Sequence, residues 1–234
     1  MRIVFKPAGT LVLLSVIAVL CFFAFNNVEG MMGQKRAVAE TPTPGAMKRA
    51  STVIFRPVDL SRMGAVDWAY YGVAPSEGTD ISQKVMHKAK VTRRINPLQF
   101  IGHPPKTYEG DPRVFRWQDG DGFATMPEVR AGLETDGISN GFRFTVTPEL
   151  GRRHILRVWV GGSQVRSKLM ARLSDGSALS QVDESFSSVG DKEFRSLYTI
   201  IFEAKKPGQE LIVSYLVADS GTTGSVSLQA VALE

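Results

Sequence analysis

Gly137-Ile138-Ser139-Asn140-Gly141 has the spacing of a nucleophile elbow. A serine in that pattern becomes reactive only when a strand leads into it and a helix leaves it, so that its Oγ is held out on a strained turn. Here Gly141 runs straight into the alternating apolar stretch Phe142–Thr147, which predicts a turn and no hydrolase. Asp119-Gly120-Asp121-Gly122, with Asp111 nearby, places carboxylates on a glycine-rich turn, the donor type a hard Ca²⁺ ion takes. The spacing fits no EF-hand, and Asp-Gly pairs are ordinary turn formers, so a structural Ca²⁺ on Asp111, Asp119 and Asp121 stands beside the plainer reading of a turn. A single Cys excludes a disulfide framework and a multi-thiolate zinc site. Three well-separated histidines, His87, His103 and His154, leave little for acid–base chemistry, and the expectation is that the chain is not an enzyme.

Residues suited to binding are easier to find. Trp159 shares a predicted strand face with Arg157, and aromatics beside arginine anchor many interfaces and sugar platforms. Trp117 and Tyr108, in predicted loops, are candidates of the same kind. Residues 84–116 carry a net charge of +6, with Lys88, Lys90, Arg93 and Arg94 at its centre. Long loops on a rigid scaffold are where binding often resides, and such a stretch suits an acidic protein surface, an anionic glycan or lipid headgroups. The plainer alternative is a solvated surface balanced by acids elsewhere.

The elements that must position these residues differ sharply along the chain. Residues 8–25 form a charge-free apolar run preceded by Arg2 and Lys6. As a helix it would reach about 27 Å, close to the thickness of a bilayer core. That length predicts an uncleaved single-pass anchor rather than a cleaved signal. Residues 1–7 are its basic flank, and 26–57 a basic, proline-containing linker. The whole excess charge of +5 lies in residues 1–56, so the remainder is neutral and the pI near 9.4 describes the tail. A nucleic-acid-binding domain would carry its excess on the folded part, and no nucleic acid partner is expected.

From residue 58 the pattern has period two. Phe142/Phe144/Val146, His154/Leu156/Val158/Val160, Leu169/Ala171/Leu173, Tyr198/Ile200/Phe202, Leu211/Val213/Tyr215/Val217 and Val226/Leu228/Ala230/Ala232 each mark one strand face. Turn signals sit between them at Pro148–Gly151, Gly161-Gly162, Ser174–Gly176, Pro207-Gly208 and Ser220-Gly221. Many short strands without helical periodicity predict an all-β fold, an antiparallel β-sandwich or jelly roll of about eight strands over residues 58–234.

Five segments then become familiar together. Val58-Asp59-Leu60-Ser61 with Gly64, Asp67-Trp68-Ala69 and Gly72, then Phe115-Arg116-Trp117-Gln118-Asp119-Gly120, Leu156 to Gly161, Leu173 to Ser177 and Ser225 to Leu233 occur in order. They resemble a galactose-binding-like β-sandwich domain found in bacterial extracellular proteins and appended to glycoside hydrolases. The resemblance implies a jelly-roll fold, a binding role and, in many such domains, one structural Ca²⁺. No attached catalytic domain is expected within these 234 residues. The reading adopted from sequence is a membrane-anchored assembly subunit of a larger bacterial membrane complex, on the periplasmic side of the inner membrane. The alternative is a module that binds envelope polysaccharide.

Overall fold

The computed structural model describes residues 4–7, 56–73, 80–188 and 193–234. The expected membrane helix at 8–25 and most of the linker lie outside the described residues, and among the described residues no helix is long and apolar enough to cross a membrane.

Among the described residues fifteen strands run β1 Val4–Pro7, β2 Val58–Asp59, β3 Asp67–Tyr71, β4 Val85–Lys88, β5 Gln99–Ile101, β6 Lys106–Tyr108, β7 Phe115–Trp117, β8 Gly120–Asp121, β9 Met126–Val129, β10 Gly132–Asp136, β11 Gly141–Val146, β12 Arg153–Leu173, β13 Gln181–Asp183, β14 Glu193–Glu203 and β15 Leu211–Leu233. One helical turn, α1 at Leu60–Met63, follows β2. The expected all-β, mostly antiparallel sandwich is present, with more strands than the eight predicted. The short strands β4 to β9 occupy a stretch that reads as loop because two to four residues carry no usable periodicity.

Strands β12 and β15 are the spine. They pair antiparallel from Leu156↔Leu233 to Leu173↔Leu211, with register shifts between Trp159 and Val160, Ser163 and Val165, and Arg166 and Ser167. The first half of β12 pairs with β14 and the second half with β13. On the far side of β15, β10 and β3 flank its last residues and β11 its first. Each half of the ribbon therefore belongs to one layer, and the two inner faces close on a shared core. Leu156, Val158 and Val160 from one half meet Leu169, Ala171 and Leu173 from the other. The Tyr215 hydroxyl crosses between layers to donate to the Gly161 carbonyl at 2.9 Å.

Gly161-Gly162 and Ser220-Gly221, read above as turns, lie inside β12 and β15. The glycines serve close approach instead. A Cβ on Gly161 would fall 2.7 Å from Ser227 Oγ and 2.9 Å from the Phe194 carbonyl. The alternation in β15 also changes phase. Trp159 pairs with Ala230 but Val160 with Leu228, which leaves Gln229 as the extra residue of a bulge. Val226 and Leu228 thus face the main core while Ala230 and Ala232 face the opposite side.

That opposite side holds a second core. A three-stranded sheet, β7 between β2 and β9, lies with α1 over one end of it. Leu60, Phe115 and Trp117 from this cover pack against Trp68, Tyr70, Trp159, Ala230 and Ala232. Phe115 and Trp159 meet edge to face with ring centroids 5.6 Å apart.

The turn Gly137–Asn140 carries the chain from β10 in one layer to β11 in the other. A Cβ on Gly141 would lie 2.1 Å from the Tyr215 carbonyl oxygen and 2.8 Å from Leu216 Cα, both backbone atoms that have little room to yield. Gly141→Ala is expected to cost about 1–3 kcal/mol by overpacking, read as a lower urea midpoint at unchanged slope. Gly176→Asn, at a positive φ with open space around it, should shift the midpoint little.

Candidate functional site

The residues singled out for binding are mostly spent inside the fold. Trp159 is only 3% exposed and Trp117 is fully buried, both in the second core, so neither offers a ring to a ligand. The prediction of an exposed Trp159 fails because the sheet formed by β2, β7 and β9 covers that face. Arg157 is held by Glu234 at 2.7 Å and tops the carbonyl of Met63 at 3.4 Å. Lys88 is ion-paired to Asp119 at 2.7 Å, Arg93 to Asp121 and Arg94 to Glu149 at 3.5 Å each. Lys90 is exposed and makes no ion pair among the described residues. The basic stretch is thus largely neutralised by acids from other elements and does not form one cationic patch.

The three aspartates considered for Ca²⁺ go to separate places. Asp119 accepts from the Ser61 hydroxyl, from Trp68 Nε1 at 2.9 Å and from Lys88 Nζ. Burial pushes its carboxyl up, but the bonds from Lys88, Ser61 and Trp68 outweigh this and hold it below the usual carboxylate range. Asp119 therefore ties the residues of the Val58–Trp68 and Phe115–Gly120 segments into one knot. Asp121 is exposed beside Arg93. Asp111 is buried between Arg113 and Arg195 and accepts from the Tyr108 hydroxyl at 3.2 Å. Among the described residues, no three His, Cys, Asp or Glu side chains are grouped to hold a metal ion.

Ser139, the centre of the elbow-like pattern, sits at φ 68 on the turn between β10 and β11, with a strand and not a helix after it. No described hydrogen bond joins a histidine to a serine or threonine hydroxyl. His154 Nε2 accepts from the Glu149 amide at 3.1 Å, and burial followed by the Arg93 charge pushes His87 down to about 4.

Among the described residues an open concavity lies elsewhere, on the face that carries Trp159. Five neighbouring strands, β14, β12, β15, β10 and β6, cross it in register. One row runs Arg195, Gly161, Ser227, Glu134, Lys106, and the next runs Glu193, Ser163, Ser225, Asp136. Glycine and serines make a low floor. Arg195 and Glu193 form one wall, and Glu134, Asp136 and Lys106 the other. Two adjoining cavities of about 270 and 290 Å³ fill this trough and share Glu134, Ser163, Glu193 and Ser225. Tyr108 and Asp111 close one end. The Tyr108 hydroxyl is pushed up to about 12 by burial and by the neighbouring Asp111 charge, and so stays a neutral donor. Sequence patterning named Tyr108 and Asp111 but missed the trough. Its signal was the run of outward-facing small residues, Gly161, Ser163, Ser225 and Ser227, on adjacent strands.

No protein-family model and no curated protein matches the chain. Among solved structures, a carbohydrate-binding module, TmCBM61 in complex with β-1,4-galactotriose, is similar over 59% of this chain and 88% of its own, at 14% identity and a TM-score of 0.38. The enzymatically active domain of a bacteriophage CBA120 tailspike protein is similar over 60% of this chain and 19% of its own, at 16% identity and a TM-score of 0.33. Both are distant likenesses, and neither assigns an activity to this protein.

Trp159→Ala is expected to act on stability, with a loss of about 3–5 kcal/mol in urea unfolding. Because the folded pKa of Asp119 is lowered, its contribution is present above the ordinary aspartate pKa of about 4 and is lost as pH falls below that. Asp119→Asn should therefore be less stable than the native chain at neutral pH but lose less further stability on acidification to pH about 3, measured as thermal midpoints across the range.

Proposed function

We propose that this chain is a non-enzymatic carbohydrate-binding module that lays a polysaccharide along the trough of Ser163, Ser225, Ser227, Glu134 and Glu193. The observation that carries the reading is the two in-register rows, which give a low floor between polar walls. Pockets for drug-like ligands are mainly apolar, whereas hydroxyls and carboxylates line this one, which suits a ligand that is itself a dense array of hydroxyl groups. Carboxylates accept from sugar hydroxyls in charge-assisted bonds, serines donate or accept, and the short side chains of Ser163 and Ser225 on the floor leave space for a ring.

The assembly-subunit reading has less behind it. The large exposed apolar residues, Phe123, Ile138, Leu150, Leu179 and Val182, are spread over several loops and one short strand instead of forming a broad patch. Placement at a bacterial envelope rests on the apolar run 8–25, which would hold the module at the inner membrane with the trough on the periplasmic side.

Affinity electrophoresis of the full chain through gels containing individual polysaccharides tests the reading. At least one neutral or amine-bearing polymer should retard the protein. Ser163→Trp, which fills the floor, should abolish that retardation while the thermal midpoint stays within a few degrees. Retardation by no polymer in a broad envelope panel, or retention unchanged in Ser163→Trp, overturns the proposal.

A further inference from the structure

Resting on that reading of the trough, we infer that its preferred ligand is a sugar polymer bearing protonated primary amines, a glucosamine-type glycan, over N-acetylated, neutral or acidic ones.

The charge arrangement carries this. Arg195, the cation of one wall, is already consumed: its guanidinium donates to buried Asp111, to Glu193 at 2.8 Å and to the Phe194 carbonyl at 3.0 Å. Across the floor, the Glu134 carboxylate makes no hydrogen bond or ion pair among the described residues. Lys106 is its register partner on β6, yet the two form no ion pair. Burial, helped by the charges of Glu193 and Asp136 against the opposing pull of Lys106, raises the Glu134 carboxyl above its ordinary range. An acidic glycan would add negative charge beside an uncompensated carboxylate.

A second observation points to the same spot. Ser227, the register partner of Glu134 on β15, lines the trough and is only 5% exposed, and its Oγ has no partner in hydrogen-bond geometry although it sits beside the Tyr108 hydroxyl. A buried hydroxyl met only by a poorly aligned contact from Tyr108 and a carboxylate without an ion pair, on adjacent strands, suit a group with several donors. An ammonium offers three donors and no acceptor. Set between Glu134 and Ser227, with Asp136 and Glu193 flanking, it satisfies both and relieves the mutual repulsion of the acids. A metal ion fits less well, since among the described residues no three carboxylates are grouped to share one. With Arg195 spent on Asp111 and Glu193, the carboxylates of Glu134, Asp136 and Glu193 lie across both rows beside Lys106, an arrangement that suits cationic groups repeated along a polymer.

Isothermal titration of the full chain at about pH 6 and low salt, with glucosamine hexamer, N-acetylglucosamine hexamer, oligogalacturonate and spermidine, tests this. The glucosamine hexamer should bind about tenfold more tightly than its N-acetylated counterpart, and oligogalacturonate should not bind. The tenfold advantage should collapse in Glu134→Gln, shrink in Asp136→Asn, and fall as salt is raised. Equal or tighter binding of the N-acetylated hexamer overturns the inference and leaves the glycan-binding reading standing. Spermidine binding as tightly as the glucosamine hexamer overturns it in favour of a plain cation site. Binding of no saccharide at all overturns both readings.

Discussion

The structure depends on one long antiparallel pairing, β12 against β15, whose two halves lie in different layers. Because each strand continues from one layer to the other, the layers are joined by backbone and cannot slide independently. The three register shifts along the pair concentrate between Trp159 and Ser167, and bulges increase local bend and twist. At Gly161 and Gly162 within this bend the chain has no room for a side chain. Gly161 is crowded from the trough side by Ser227 and Arg195, and Gly162 from the core side by Phe194 and Val165. The same constraint that folds the ribbon therefore keeps the trough floor low. The trough is a consequence of how the sandwich closes.

How far this was legible in the sequence varies by segment for physical reasons. The runs Phe142–Val146, Leu169–Leu173, Tyr198–Phe202 and Leu211–Val217 each bury one face in a single core, so strict alternation reports them faithfully. The last strand misleads from Ala230 onward because the bulge at Gln229 reverses the phase, and nothing local marks a bulge of that kind. Gly161-Gly162 reads as a turn because glycine pairs usually make one, whereas here Ser227, Phe194 and Arg195, more than thirty positions away, exclude a Cβ on Gly161. Trp159 is misread for a related reason: its face is covered by β7, over forty residues upstream in the chain.

Charge shows the same limit. The stretch 84–116 is strongly basic as a string, yet Lys88, Arg93, Arg94, Arg113 and Arg116 each meet a carboxylate in the fold. Conversely, Glu134, Asp136 and Glu193 are isolated acids in sequence and become neighbours only through the register of β10, β15, β12 and β14. Asp111 illustrates both effects. Its neighbours in sequence suggest a cation site, but its charge is used to neutralise Arg113 and Arg195 in a buried network, where losing one partner of such a pair is strongly destabilising.

The face that carries Trp159 divides into a covered and an open part, and the division decides what the protein can do. The covered part is locked by Asp119, which bonds Ser61 of α1, Trp68 of β3 and Lys88 of β4 at once. With those bonds in place the small sheet seats Phe115 and Trp117 on the second core and leaves the floor at Ser163 and Ser225 free. The anchors and the open floor share strands β12 and β15 but no side chains. Substitutions at Glu134, Asp136, Ser163 or Ser225 therefore alter the shape and charge of the trough while the knot around Asp119 keeps the scaffold in place.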